Sequence, residues 1–216
     1  GGDVAPVGEL VEIAHRHGAL VVVDDAHGIG TVGPTGRGAT EELPASQRPD
    51  VLLGTASKAL GVEGGFACVD ETLATLMRNC ARGYVFSSAP SPVVAAGVAA
   101  AVEYLRTDTR RVCSLQANVA QARLLLAEAD LIPPSAAHDR GPIIRIPVGP
   151  ESRAVAAQEE LARRGLMVGA IRYPAVARGD AILRICLTAR HTDEHIRILV
   201  TSLREVLDGA LSDAPR

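Results

Sequence analysis

Ala19-Leu20-Val21-Val22-Val23-Asp24-Asp25-Ala26-His27-Gly28 is the stretch whose reading decides the fold. A continuous apolar and β-branched run that stops at carboxylates reads as a strand buried on both faces of a parallel sheet. Asp50-Val51-Leu52-Leu53-Gly54-Thr55 repeats the pattern and runs into Ala56-Ser57-Lys58-Ala59-Leu60-Gly61. Open α/β sheets place their ligands at the carboxyl ends of strands. Two such ends would bring Asp24, His27, Thr55 and Lys58 into one crevice. Taken singly, Asp24-Asp25 reads as a solvated turn and Lys58 as a surface lysine; the shared strand context favours the crevice.

Around this pair the chain alternates strand and helix. Val7, Leu10, Val11, Ile13 and Ala14 have the spacing of an amphipathic helix that stops at His17-Gly18. Phe66 to Val69 reads as a third short strand, Glu71 to Arg82 as a helix, and Pro90 and Pro92 open a long helix to about Leu105. Such alternation predicts an α/β layered sheet. Past the polar break at Thr107-Asp108-Thr109 the pattern changes. Helices are expected at 112–128, 152–164 and 193–207, with strands at 143–148, 166–169 and 182–187. That order reads as a small α+β unit, and the boundary is placed near residue 106, giving domains 1–106 and 107–216. The last few residues read as disordered.

Composition narrows the function class. With 47% hydrophobic residues, 22% charged and a net charge of −3, nothing basic enough for nucleic acid stands out. No stretch approaches the about 18 uninterrupted apolar residues of a membrane span, and no secretory signal is visible. Cys68, Cys80, Cys113 and Cys186 form no CxxC pair and read as reduced core residues of a cytoplasmic protein rather than zinc ligands. The chain starts Gly1-Gly2-Asp3 without methionine, which suggests a fragment, a processed chain or a trimmed one. Aromatic residues are only 2% of the chain and none falls near the crevice in sequence, so few rings could stack on a planar group.

The crevice residues suit the parts of pyridoxal 5'-phosphate (PLP): an amine for the aldehyde, a carboxylate for the ring nitrogen, a hydroxyl for the phosphate. A rival reading exists, because Gly28-Ile29-Gly30-Thr31-Val32-Gly33 formally matches the dinucleotide fingerprint GxGxxG. It fails on context. Pro34-Thr35-Gly36-Arg37-Gly38 cannot open a helix, so a phosphate would lose the helix N-terminus, and Asp24 and Asp25 would repel it. Gly54-Thr55-Ala56-Ser57-Lys58 likewise lacks P-loop spacing.

Together, VVVDDAHGIGTVGPTGRG (21–38) and GTASKALGVEGGF (54–66) resemble the α-oxoamine synthases, PLP-dependent enzymes of the aspartate-aminotransferase superfamily, fold type I. The resemblance continues through Phe86-Ser87-Ser88-Ala89-Pro90, Ala170-Ile171-Arg172-Tyr173-Pro174 and Leu183-Arg184-Ile185-Cys186-Leu187-Thr188. It implies the C-terminal part of a large PLP-binding domain with a mostly parallel sheet, followed by a small α+β domain. By the same resemblance Lys58 would bind the aldehyde and move the substrate's α-proton, as a desolvated lysine with lowered pKa can. Asp24 would face the ring nitrogen, His27 the phenolic oxygen, and Thr55 the phosphate. Ser87 and Ser88 would reach the phosphate in the neighbouring subunit, implying a homodimer with shared sites; Ser87 could instead cap the next helix. Arg184 would hold the substrate carboxylate. The implied reaction condenses an amino acid with an acyl-CoA or acyl-carrier-protein thioester, with decarboxylation, to an α-aminoketone. The blocks lean toward the 8-amino-7-oxononanoate (biotin-pathway) type. Glycine C-acetyltransferase or another α-oxoamine synthase is the alternative within the family, and a non-catalytic remnant or dimerisation module the alternative outside it. About half of the family's catalytic domain has no counterpart here, so the chain alone is expected to be unstable or inactive.

Overall fold

The computed structural model describes residues 2–212, with side chains up to residue 209. The tail expected to be disordered lies partly outside that range. Two compact units divide the chain: residues 5–112, and residues 2–4 with 113–212.

The first unit opens with α1 (Val7–Arg16), which buries Val7 and Val11 and leaves Leu10 and Ile13 exposed. Strands β1 (Val22–Asp24), β2 (Val51–Thr55) and β3 (Gly65–Cys68) form a sheet in that order. β1 and β2 pair in parallel, with Asp24 opposite Leu53, whereas β3 returns antiparallel. Asp50 fixes the entry to both parallel strands. Its carboxylate accepts from the Val21 N–H at 2.7 Å and lies 3.0 Å from His15 Nε2, so those two partners hold its pKa down.

Two expectations for this unit are corrected here. The 19–23 run is not buried on both faces: Leu20 is 67% and Val22 60% exposed, because they share with Asp24 a face of β1 that no described residue covers, while Val21 and Val23 on the opposite face are half-buried. The expected 71–82 helix is α2 (Glu71–Cys80), capped by Asp70, whose carboxylate accepts from Leu73 N at 2.7 Å. It ends where Ala81 turns extended, and a short α3 (Arg82–Val85) follows. The long helix α4 (Pro92–Thr107) has Ser91 as its N-cap and proline at the first helical position, the favoured start.

α5 (Arg110–Glu128) begins in the first unit and continues in the second. There β4 (Ile143–Gly149), β5 (Gly169–Ile171) and β6 (Ala181–Cys186) form an antiparallel sheet in the order β4-β6-β5. Strict alternation makes it one-faced: Ile144, Ile146, Val148, Leu183 and Ile185 point inward, while Arg145 and Arg184 sit opposite each other on the outer face. α5, α6 (Glu151–Arg163) and α7 (Asp193–Ser212) supply Leu126, Leu161, Ile196 and Leu203 to the same closed core. Pro147 is tolerated because β4 is an edge strand with a bulge before Gly149. The four cysteines are exposed and unpaired rather than buried. Cys186 shows why: it sits on the outward phase of β6.

Arg123 ties the second unit together. Its buried guanidinium donates to the carbonyls of Gly2, Ala136, Gly141 and Ile143 and lies 3.5 Å from Asp139. Burial pulls its pKa down; Asp139 and Asp3 oppose that.

Candidate active site

Parallel pairing of β1 and β2 sets the geometry of the site. Their carboxyl ends lie side by side on one edge of the sheet, strands being about 4.8 Å apart. β1 delivers Asp24 and the turn to His27; β2 delivers Thr55 and the turn to Lys58. The two turns touch, since a Cβ added to Gly30 would fall 2.4 Å from Ala59 Cβ, next to Lys58. One added to Gly54 would meet Ile29 from the first turn at 2.7 Å. The structure thus brings Asp24, His27, Thr55 and Lys58 to one edge.

Each side chain is held differently. Asp24 is exposed, and its Oδ1 accepts from Ala26 N at 3.0 Å. His27 is exposed, and its carbonyl accepts from Thr31 Oγ1 at 2.5 Å. Thr55 Oγ1 and Ser57 Oγ lie 2.8 Å apart, and Thr55 Oγ1 also accepts from Ser57 N. Thr55 Oγ1 itself donates to Gly64 O at 3.1 Å, so a ligand anion would be met by hydroxyls that first turn away from these partners. Ser57 adds a second hydroxyl to this turn; in the sequence its only signal is the i, i+2 spacing from Thr55. Lys58 is exposed, so the described residues do not supply the desolvation that its expected role calls on.

Asp25 is the residue that sequence reasoning missed. Rather than sharing a solvated turn with Asp24, it is buried, with Oδ2 accepting from Ala39 N at 2.8 Å. Burial raises its pKa; the N–H groups of Ala39 and Gly28 counter that, and the charge of Asp24 adds to the rise. Glu41 takes the other side of the same loop, accepting from Thr35 Oγ1 at 2.6 Å and from Arg37 N at 3.0 Å. Its burial pushes the pKa up, but those hydrogen bonds outweigh it and leave the carboxyl below its ordinary value. Nor is the edge free of rings. Phe66 lies across from Gly54, one residue before Thr55, and fills the space a side chain would occupy there.

The remaining expected residues lie elsewhere. Ser87 and Ser88 occupy the exposed segment between α3 and α4. Ser87 does not cap α4; its hydroxyl donates back to Gly83 O at 2.6 Å. Arg184 belongs to the second unit, half-buried on the outer face of β6, with Nε enclosed and without a hydrogen-bond partner among the described residues. A separate groove of about 410 Å³ in that unit is bordered by Cys186, His191, His195 and Met167.

The donor types at the β1–β2 edge suit PLP: a carboxylate, an imidazole, a hydroxyl pair and an amine are carried on two touching turns. Among the described residues no helix is long and apolar enough to cross a membrane.

Known proteins resemble this chain in sequence and in fold. Residues 1–203 match the family model described as aminotransferase class I and II. The 8-amino-7-oxononanoate synthase of Halorhodospira halophila is 43% identical over 99% of this chain and 52% of its own length. A putative 8-amino-7-oxononanoate synthase of Desulfovibrio desulfuricans is 41% identical over 96% of this chain and 53% of its own. The chain therefore spans about half the length of these relatives. Among solved structures, the Sphingomonas wittichii serine palmitoyltransferase superposes with a TM-score of 0.87 at 29% identity, over 97% of this chain and 52% of that one. A serine palmitoyltransferase from S. paucimobilis, whose structure carries bound PLP with myriocin, gives 0.88 at 27% identity, over 97% and 52%. The α/β fold of PLP fold type I enzymes, expected from the sequence, is the fold observed. From its sequence match and its architecture alike, this chain belongs to the aminotransferase class I and II family.

Proposed function

We propose that this chain carries the Lys58 side of a PLP-dependent α-oxoamine synthase site of the 8-amino-7-oxononanoate synthase type. The observation that carries the reading is the convergence of Asp24, His27, Thr55 and Lys58 on one sheet edge. Relatives of that name, about 40% identical over nearly the whole chain, support the choice of type. Residues 5–112 then represent the C-terminal part of the PLP-binding domain, and 113–212 with 2–4 the small domain.

When bound, PLP supplies an electron sink for negative charge at the substrate α-carbon. Lys58 would hold the cofactor's aldehyde carbon and, once its amine is free again, would move the α-proton. Asp24 would keep a proton on the ring nitrogen, and His27 would donate to the phenolic oxygen. Thr55, with Ser57 beside it, donates to the phosphate. Ser87 and Ser88, on an exposed segment, serve the phosphate of a second subunit in a homodimer. Arg184 pairs with the amino-acid carboxylate. Overall, an amino acid and an acyl thioester give an α-aminoketone, carbon dioxide and the free thiol, in the cytoplasm. The test is borohydride reduction in the presence of PLP followed by peptide mapping. A phosphopyridoxyl group is expected on Lys58 and lost in Lys58→Ala; label elsewhere, or unchanged in that variant, overturns the reading.

A further inference from the structure

We infer that Asp25 is a positioning residue of the proposed pocket: its buried carboxylate is the hub on which the loop from Gly28 to Ala39 is wound, and that loop fixes Asp24 and His27 against the Lys58 turn. The inference rests on the PLP reading above. It begins with the backbone. Asp25 N donates to Leu53 O at 2.9 Å, so Asp25 is still locked into the sheet one residue after β1 ends. Its carbonyl accepts from Gly28 N at 3.0 Å and Ile29 N at 3.1 Å, closing the turn that carries His27. Its carboxylate reaches 14 residues ahead to the N–H of Ala39.

Two glycines are shaped around that carboxylate. A Cβ on Gly28 would fall 2.0 Å from Oδ1, and one on Gly38 would fall 2.0 Å from Oδ2. Neither position has room for a side chain while Asp25 keeps its place. The loop then passes the constraint on: Ile29 bears on Gly54 in β2, and Gly30 bears on Ala59 beside Lys58. An acidic residue suits the hub because loop N–H groups turned inward need an acceptor. Glutamate, one methylene longer, would overfill the gap between the two glycines. The adjacent aspartates therefore divide their work, Asp24 toward the ligand and Asp25 toward the loop.

The test uses the full chain and the borohydride label on Lys58, with amide exchange at Gly28 and Ala39 as a readout independent of the cofactor. Asp25→Ala is expected to cut labelling about tenfold or more and to speed exchange at both amides. Asp25→Asn keeps an acceptor oxygen and is expected to restore most of the label. It also removes a negative charge beside Asp24, so the absorbance of the bound chromophore should titrate at lower pH; an unchanged midpoint reduces Asp25 to loop folding alone and overturns the role. Gly28 does not have a left-handed backbone, so Gly28→Ala should be harmful only through its clash with Asp25. It should cost labelling in the wild-type background and add almost nothing in Asp25→Ala. Full labelling in Asp25→Ala, or additive losses in the double variant, overturns the proposal while leaving the cofactor site standing. If wild type itself takes no label at Lys58, the PLP reading fails, and the positioning role with it.

Discussion

At the scale of single residues, the buried groups outside the proposed site make the sharpest claims. Arg123 satisfies four backbone carbonyls from inside the second unit, and no neutral side chain could replace that fan of donors. Arg123→Ala should cost about 3 kcal/mol, read as a lower urea midpoint by circular dichroism, because it strands buried acceptors. Arg123→Met should rescue little, since packing is not what is lost. His191 is governed by pH. Burial, helped by the charge of His195, holds its pKa below the ordinary 6.5, and Nδ1 accepts from Thr188 N at 3.2 Å. The unfolded chain therefore takes up the proton first as the solution is acidified. Stability from the neutral ring should be present above pH 6.5 and be lost as pH falls from there through the folded value. Replacing His191 with Gln should flatten that dependence when urea midpoints are compared across the range.

Among the elements, the two parallel strands and the turns that follow them were legible because a β-branched run ending in polar residues has few other readings. Asp24, His27, Thr55 and Lys58 could be set at one edge for the same reason. Asp25 and Ser57 could not be given roles, because nothing local distinguishes a carboxylate that faces solvent from one wrapped by a loop closing 14 residues later. Helix ends depended on caps that sequence marks only weakly: Ala81 leaves the helical region without a glycine or proline, whereas Ser91 and Pro92 start α4 as expected. The tightest contact between the turns yields a test. Gly30 has a φ of +83° and faces Ala59 Cβ, so Gly30→Ala strains the backbone and pushes the Lys58 turn away. Labelling of Lys58 by PLP and borohydride should fall at least about tenfold, while the urea midpoint of the 113–212 core stays unchanged.

Over the whole molecule, burial is uneven. Leu126, Ile144, Leu161, Leu183 and Leu203 belong to one closed core in the second unit, whereas the first fully buries few large side chains and leaves Phe86 79% and Val93 82% exposed. Such apolar surface marks a place where other polypeptide belongs. The sequence foretold a layered sheet but not how bare its outer strand is, since a hydrophobic run records the environment a strand evolved in, not whether that environment is present. Limited proteolysis of the purified chain should cut first within 5–112 and leave a resistant fragment spanning about 113–212; preferential cutting in α5, α6 or α7 would contradict this. The isolated chain is also expected to show no α-aminoketone synthesis with alanine, glycine or serine and a panel of acyl thioesters. Turnover by the monomer would refute that.

Residues 2–4 pack with 113–212, although more than a hundred residues separate them in sequence. Arg123 holds Gly2 within that unit by donating to its carbonyl, so a few residues before α1 complete a core built more than a hundred residues later. Cutting those few residues away would withdraw an acceptor from a guanidinium that has no water to turn to, and the second unit rather than the first should register the loss.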